Sequence, residues 1–466
     1  MSKKKKKAVP LTASQKLKKR FSETRASLSE SGKSAVLSGK STLKSFEARA
    51  DSFCLAAYNK TAAFMARVWS PAAVAALFLL LMSATYLFYG HAVMTSEFSL
   101  TFPFAIPFYL IDFKVGFVSR ALVGHIISLF TDKVSLNLIF AIARCSIAST
   151  LILQAVIAAF AFKKAFLCRS PLICLLCCFF VCSSVTVVPY MIYLGFIDPF
   201  NLLLAIFYYF ISNKKAGYVL TPVICVAGVV LHYQFVLAFL PMIFSVELYY
   251  IIKNKKGRAL RIVSFIISAA SSLAVTVYLM FFSKYHVKMD ASELYSYMCG
   301  KFTDYRSWGL FEEYFTYYIY GDYDGANYSN PADFVKYLLG VSFKNMNLNS
   351  MLGYAATLVP AYGLLEYFWI YIFRRTEKKK RLAYLVFMLQ PLVVIASFIA
   401  STDNARWAGA SFFSNFALLF TEIRNEEPLL YEAARKLKSP RIILIISAVF
   451  LAGYIITLVT MKKYLT

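Results

Sequence analysis

Residues 138–162 read LIFAIARCSIASTLILQAVIAAFAF, with Asp132 and Lys133 shortly before them and Lys163 and Lys164 directly after. A helix rises 1.5 Å per residue, so about twenty apolar residues cross the roughly 30 Å hydrocarbon layer of a bilayer. This run is long enough, and its only charge is Arg144. Hydrocarbon cannot hydrogen-bond backbone amides, so a run this apolar and without strand alternation is expected to be a transmembrane helix.

Similar runs lie at 71–90, 171–192, 197–212, 217–231, 235–252, 259–283, 351–373, 382–401, 407–421 and 441–461. Lys and Arg collect on the cytoplasmic side of membrane spans. Here they form turns at Lys163, Lys164 and Arg169, at Lys214 and Lys215, at Lys253 to Arg258, at Arg374 to Arg381, and at Arg424 to Lys438. Residues 217–252 are basic at both flanks, and as one helix would be about 54 Å long. Two short helices meeting near His232-Tyr233-Gln234 remove the conflict. The expected fold class is an all-α polytopic transmembrane bundle of about 11 helices in the cell membrane, multi-pass, with a cytoplasmic N-terminus.

Composition agrees. Hydrophobic residues make up 59% of the 466, mean hydropathy is +0.60, and only 16% are charged, against roughly 25% in soluble domains. The net charge of +26 falls in short clusters between apolar runs, which argues for membrane flanks and against a nucleic-acid partner. Residues 1–70 carry sixteen Lys or Arg against four acids. The first apolar region begins near Pro71, too late for a cleaved signal peptide. The segment 1–70 is therefore expected to be a basic, largely disordered cytoplasmic tail lying on anionic headgroups. Residues 71–466 form the transmembrane domain, with extracytoplasmic segments 91–133 and 284–350. The latter contains eleven tyrosines, suited to an interface or to sugar stacking. Cys174, Cys177, Cys178 and Cys182 have neither metal-ligand spacing nor a nearby His or acid, so no metal site is expected among them.

Ionisable groups at membrane depth are costly and mark functional positions. Asp112, Lys114, Arg120, Arg144, Asp198, His232, Asp403 and Arg406 all fall at the expected outer ends of spans, whereas the inner face shows mainly flanking bases. Were 112–125 helical, Asp112 and Arg120 would share one face about 12 Å apart. Asp198 before Pro199 also suits an N-cap. A carboxylate and an imidazole at one depth, Asp198 and His232, suit general base work or a divalent metal, the one cofactor worth considering.

The layout of many spans, an acid in the first outer loop, a long late outer loop and bases at outer helix ends resembles the GT-C superfamily of membrane glycosyltransferases, including bacterial polymerases of surface polysaccharide. The resemblance implies a polyprenyl-phosphate-linked sugar donor, hence a lipid-linked saccharide partner. It gives Asp112 the role of activating the acceptor hydroxyl, with Asp198 second and His232 orienting the acceptor or assisting proton transfer. Lys114, Arg120, Arg144 and Arg406 would hold the lipid phosphate. Asp112 stands 22 residues beyond the first span and no adjacent acidic pair is present, which departs from the family pattern. The alternatives are a transporter or flippase of lipid-linked saccharide, in which Glu366 is the deep acid of interest, and a non-catalytic assembly protein.

Overall fold

A computed structural model describes residues 70–94, 105–187, 195–232, 234–254, 257–304, 348–400 and 404–465, with Arg49 and Ser52. The chain divides into two units, Met1–Met65 and Ala66–Thr466. The basic tail other than Arg49, Ser52 and Ser70, together with Asp403 and loop residues 305–347, lies outside the described residues. The described residues are mostly helical, and their β structure is an isolated parallel bridge between Val134 and Phe302.

The second unit opens with α1 (Pro71–Met94), α2 (Pro107–Leu110), α3 (Ala121–Ser128) and α4 (Leu136–Leu167). After them come α5 (Pro171–Cys182), α6 (Ser184–Val187), α7 (Asp198–Ile211), α8 (Lys215–Leu231), α9 (Gln234–Ala238) and α10 (Leu240–Lys253). The chain continues through α11 (Arg258–Val277), α12 (Ala291–Lys301), α13 (Leu348–Arg375), α14 (Arg381–Ala400), α15 (Asn404–Arg424), α16 (Pro428–Lys436) and α17 (Pro440–Leu465). Helix starts follow local chemistry. Prolines occupy the first turn of α2, α5, α7, α10 and α16, where no amide partner is lost. Ser135 Oγ caps α4 by accepting from Leu138 N at 3.2 Å.

Four helices are long and apolar enough to cross a membrane: Leu136–Leu167, Arg258–Phe282, Leu352–Arg375 and Pro440–Thr457. Pro71–Leu87, Pro171–Cys182, Asp198–Ile211 and Lys215–Leu231 are shorter apolar helices. On α11, Val263, Ile266, Ile267 and Leu273 are exposed while Ser264, Ser268 and Ser272 are buried. Such inversion, apolar outside and small polar inside, is what a lipid-facing helix packed through small residues requires. On α17 a Cβ at Gly453 would lie 2.3 Å from the Ala356 carbonyl oxygen, so glycine permits backbone contact with α13. The hydroxyls of Thr357 and Thr457 bond at 2.6 Å in that contact.

The expected break in 217–252 is present: α8 stops at Leu231 and His232 is extended, with φ −165° and ψ 134°. Gly228 admits the Phe235 ring, which a Cβ would meet at 2.5 Å. The run 171–192 is interrupted instead of continuous. Ser183 Oγ accepts from Val185 N at 3.3 Å, a local bond that competes with the helix, and α5 ends at Cys182. The helical case considered for 112–125 holds only from Ala121: residues 111–120 form turns.

Turns expected on one side come together. Lys164 Nζ, at the end of α4, reaches Glu426 at 2.8 Å and the Arg424 carbonyl at 2.9 Å, and Lys253 reaches Glu427 at 3.3 Å. Buried charge is not confined to the outer ends, as the sequence suggested. Arg261 Nη1 donates to Glu247 at 2.9 Å, with both residues at most 1% exposed, and Tyr208 donates to the same carboxylate at 2.9 Å. Most helices share one apolar core. A second, smaller cluster packs Phe108, Val118 and Val123 against Ile197, Leu231 and Met298, and the candidate site lies at its border.

Candidate functional site

The segment Asp112–Gly124 folds as a loop running into a helix, and each singled-out residue has a local task. Asp112 is fully buried. Its Oδ1 accepts from Lys114 N at 2.9 Å, and its Oδ2 accepts from Tyr297 Oη at 2.6 Å and Lys301 Nζ at 2.9 Å. Burial alone would raise the carboxyl pKa, but these three donors and the Lys301 charge outweigh it and hold Asp112 below the ordinary carboxylate value. Lys301 Nζ also donates to the Leu110 carbonyl at 2.9 Å. Gly116 has φ +144°, and a Cβ there would sit 2.9 Å from the His286 carbonyl oxygen. Its neighbour Val115 accepts from Lys288 N at 2.9 Å. At Gly124 a Cβ would lie 2.1 Å from the Ile111 carbonyl oxygen, so only glycine lets α3 fold back on the loop.

Arg120, at the N-cap of α3, is left-handed with φ 69°, and its N–H donates to the Val230 carbonyl at 2.9 Å. Holding a non-glycine residue there costs about 1–2 kcal/mol. The strain aims the side chain at α8, where Arg120 Nη2 stands 3.1 Å from His232 Nε2. His232 Nδ1 accepts from Gln234 N at 2.9 Å. A neutral imidazole has one N–H, so the proton belongs on Nε2, and a guanidinium can only donate. Arg120 and His232 are held in direct contact, and each has further partners. Burial first, then the guanidiniums of Arg120 and Arg406, push the His232 pKa well below its ordinary value.

Arg406 completes the group. Its Nη1 donates to Asp198 Oδ2 at 3.0 Å, and both residues are about 8% exposed. Asp198 is the first residue of α7, with Ile197 as its N-cap, so its carboxylate serves Arg406 and not the helix end. Arg120 lies over the Phe108 ring at 5.2 Å and Arg406 over the Phe196 ring at 4.9 Å. The two rings meet edge to face at 5.7 Å. Cation–aromatic contacts of this kind help hold both guanidiniums in place, and Asp198 in addition pairs the charge of Arg406.

The structure thus brings Arg120, His232, Asp198 and Arg406 together. It places Asp112 in a separate pair with Lys301. Lys114 and Arg144 are exposed, and Arg144 lies over Phe140 of its own helix at 5.4 Å. Sequence reading missed Lys301 and Tyr297, whose one local signal is their i, i+4 spacing on a helix opened by the Asp290–Glu293 capping box. It also missed Phe108 and Phe196, which resemble any other apolar residue in the chain. Among the described residues no cluster of three or more His, Cys, Asp or Glu side chains is arranged to hold a metal.

Fold and site together define a helical protein with apolar helices of membrane-spanning length and a buried, arginine-rich polar cluster. Comparison with known proteins goes no further: no family model matches the chain, and no curated protein or solved structure matches it.

Proposed function

We propose that the chain crosses the membrane about eleven times with its N-terminus cytoplasmic, and transfers a glycosyl group from a polyprenyl-phosphate-linked donor at the extracytoplasmic face. The observation that carries this reading is the guanidinium pair of Arg120 and Arg406, seated on Phe108 and Phe196 around His232. Guanidiniums bind phosphate through paired, charge-assisted hydrogen bonds, and in a water-poor site they stabilise charge developing on a phosphate leaving group. Four helices long and apolar enough to cross a membrane, and the approach of Lys164 and Lys253 to the turn after Arg424, support this reading.

In this reading an acceptor hydroxyl gives its proton to Asp198 Oδ1 while its oxygen bonds to the sugar anomeric carbon. The bond from that carbon to the phosphate oxygen breaks, and the phosphate leaves with the electron pair beside Arg120, Arg406 and the His232 N–H. Asp112 is the weaker choice of base because three donors already occupy it; its part is to position the loop that presents Arg120.

The test compares Arg120→Gln, Arg406→Gln and Asp198→Asn with Glu366→Gln in cells that make the polymer, at matched protein abundance, reading lipid-linked precursor and polymer length. The first three are expected to lower transfer about a hundredfold or more and to accumulate precursor, while Glu366→Gln behaves as wild type. Normal polymer in all four overturns the reading, and loss in Glu366→Gln alone favours a transporter.

A further inference from the structure

Asp198, which binds Arg406, and two residues close in the chain to Asp198 and His232 carry buried polar atoms without hydrogen bonds among the described residues. Asp198 Oδ1 has no hydrogen-bond partner among the described residues, although Oδ2 is bound to Arg406. Asn201, three residues on and hence on the same face of α7, has neither Oδ1 nor Nδ2 bonded and is fully buried. Gln234, whose N–H fixes the His232 ring, has its Oε1 buried and unbonded at 2% exposure. Buried polar groups are almost always paired, and each exception is destabilising.

The two sets are complementary in kind. Arg120, Arg406 and His232 offer donors suited to an anion. Asp198 Oδ1, Asn201 and Gln234 offer carbonyl or carboxylate acceptors with an amide donor, suited to hydroxyl groups, and an amide keeps both capacities whichever way its ends are turned. A fully ionised phosphate, which has no O–H, leaves the carboxylate and carbonyl acceptors of the second set without a donor. A phosphate ester of a sugar uses both.

We propose that Asn201 and Gln234, with Asp198 Oδ1, form a hydroxyl-binding subsite beside the Arg120–Arg406 anion site, so that the ligand recognised is a sugar phosphate ester. This rests on the phosphate reading above and adds which residues select the sugar. Asn201 and Gln234 are specificity determinants, and they act on the ratio of affinities for ligands with and without the sugar.

The experiment measures dissociation constants on the detergent-solubilised full-length chain. Two probe pairs are used: a short-chain prenyl phosphate with and without an attached hexose, and hexose 1-phosphate against inorganic phosphate. In at least one pair the hexose is expected to tighten binding about tenfold or more, as two or more new hydrogen bonds to otherwise unpaired groups would. A gain in the prenyl pair identifies a lipid-linked ligand and a gain in the soluble pair alone a free sugar phosphate; both uphold the subsite. Asn201→Leu and Gln234→Met, near-isosteric and free of the orphaned atoms, are expected to fold and to lose the hexose gain while binding bare phosphate as wild type does. Equal affinity with and without hexose in both pairs, as expected if ordered water alone fills these groups, overturns the proposal. So does a hexose gain that survives both substitutions. Arg120→Gln separates the two readings: if it leaves every phosphate probe at wild-type affinity the anion site is wrong, whatever the hexose ratio shows.

Discussion

At the scale of the residue, His232 does its work as a donor. Gln234 occupies Nδ1, and burial with two nearby guanidiniums keeps the ring neutral. Its folded pKa is depressed, so an unfolded chain takes up a proton below about pH 6.5 while the native ring does not. The stability it contributes is present above that pH and falls as pH drops toward the folded value. Thermal unfolding in detergent should therefore show a larger loss between pH 7.5 and 5.5 for wild type than for His232→Gln. Phosphate-ester affinity should survive His232→Gln and fall about tenfold in His232→Phe, the value of one hydrogen bond to a charged group. Gly124 makes an equally sharp prediction. The Ile111 carbonyl occupies the space an added methyl needs, so Gly124→Ala should cost about 1–3 kcal/mol through overpacking, read as a lowered Tm.

Among the elements, α12 is the least expected participant. It is capped by Asp290 and Glu293 and locked to the 111–120 loop by Lys301 and Tyr297, while Phe302 just beyond it bridges to Val134 before α4. Removing one member of a buried ion pair strands the other at about 3–5 kcal/mol. Asp112→Asn and Lys301→Met should each destabilise the protein to that degree, and the double substitution should cost well under the sum, as chemical unfolding of the three variants would show. Why these partners were hidden is clear from their separation. A span advertises itself within its own twenty residues, and α8 and the break at His232 were legible because length and flanking charge are local properties, whereas the division of 235–252 into α9 and α10 was not. Asp112 and Lys301 stand 189 residues apart, and Asp198 and Arg406 stand 208 apart. Nothing in either neighbourhood names the other. The helical case for 112–125 stops short for a similar reason: its small and apolar residues suit a helix, but Gly116 and Arg120 take positive φ values.

For the whole molecule, the expected topology is open to direct measurement. In a background with all nine cysteines replaced by serine, Lys288→Cys should react with an impermeant thiol reagent on intact cells. Lys214→Cys and Lys379→Cys, exposed at the opposite turns, should react only after the membrane is opened; labelling of all three from outside would sink the arrangement. The wide spacing of the ion pairs also sets the order of assembly. A ribosome adds residues at about 5–20 per second, so Asp112 and Asp198 wait on the order of 10–40 s for their counter-charges to be synthesised. A nascent chain halted before Lys301 holds a carboxylate with nowhere to dock. Both of these buried ion pairs therefore depend on the C-terminal half of the chain, and a copy that ends before Lys301 has neither.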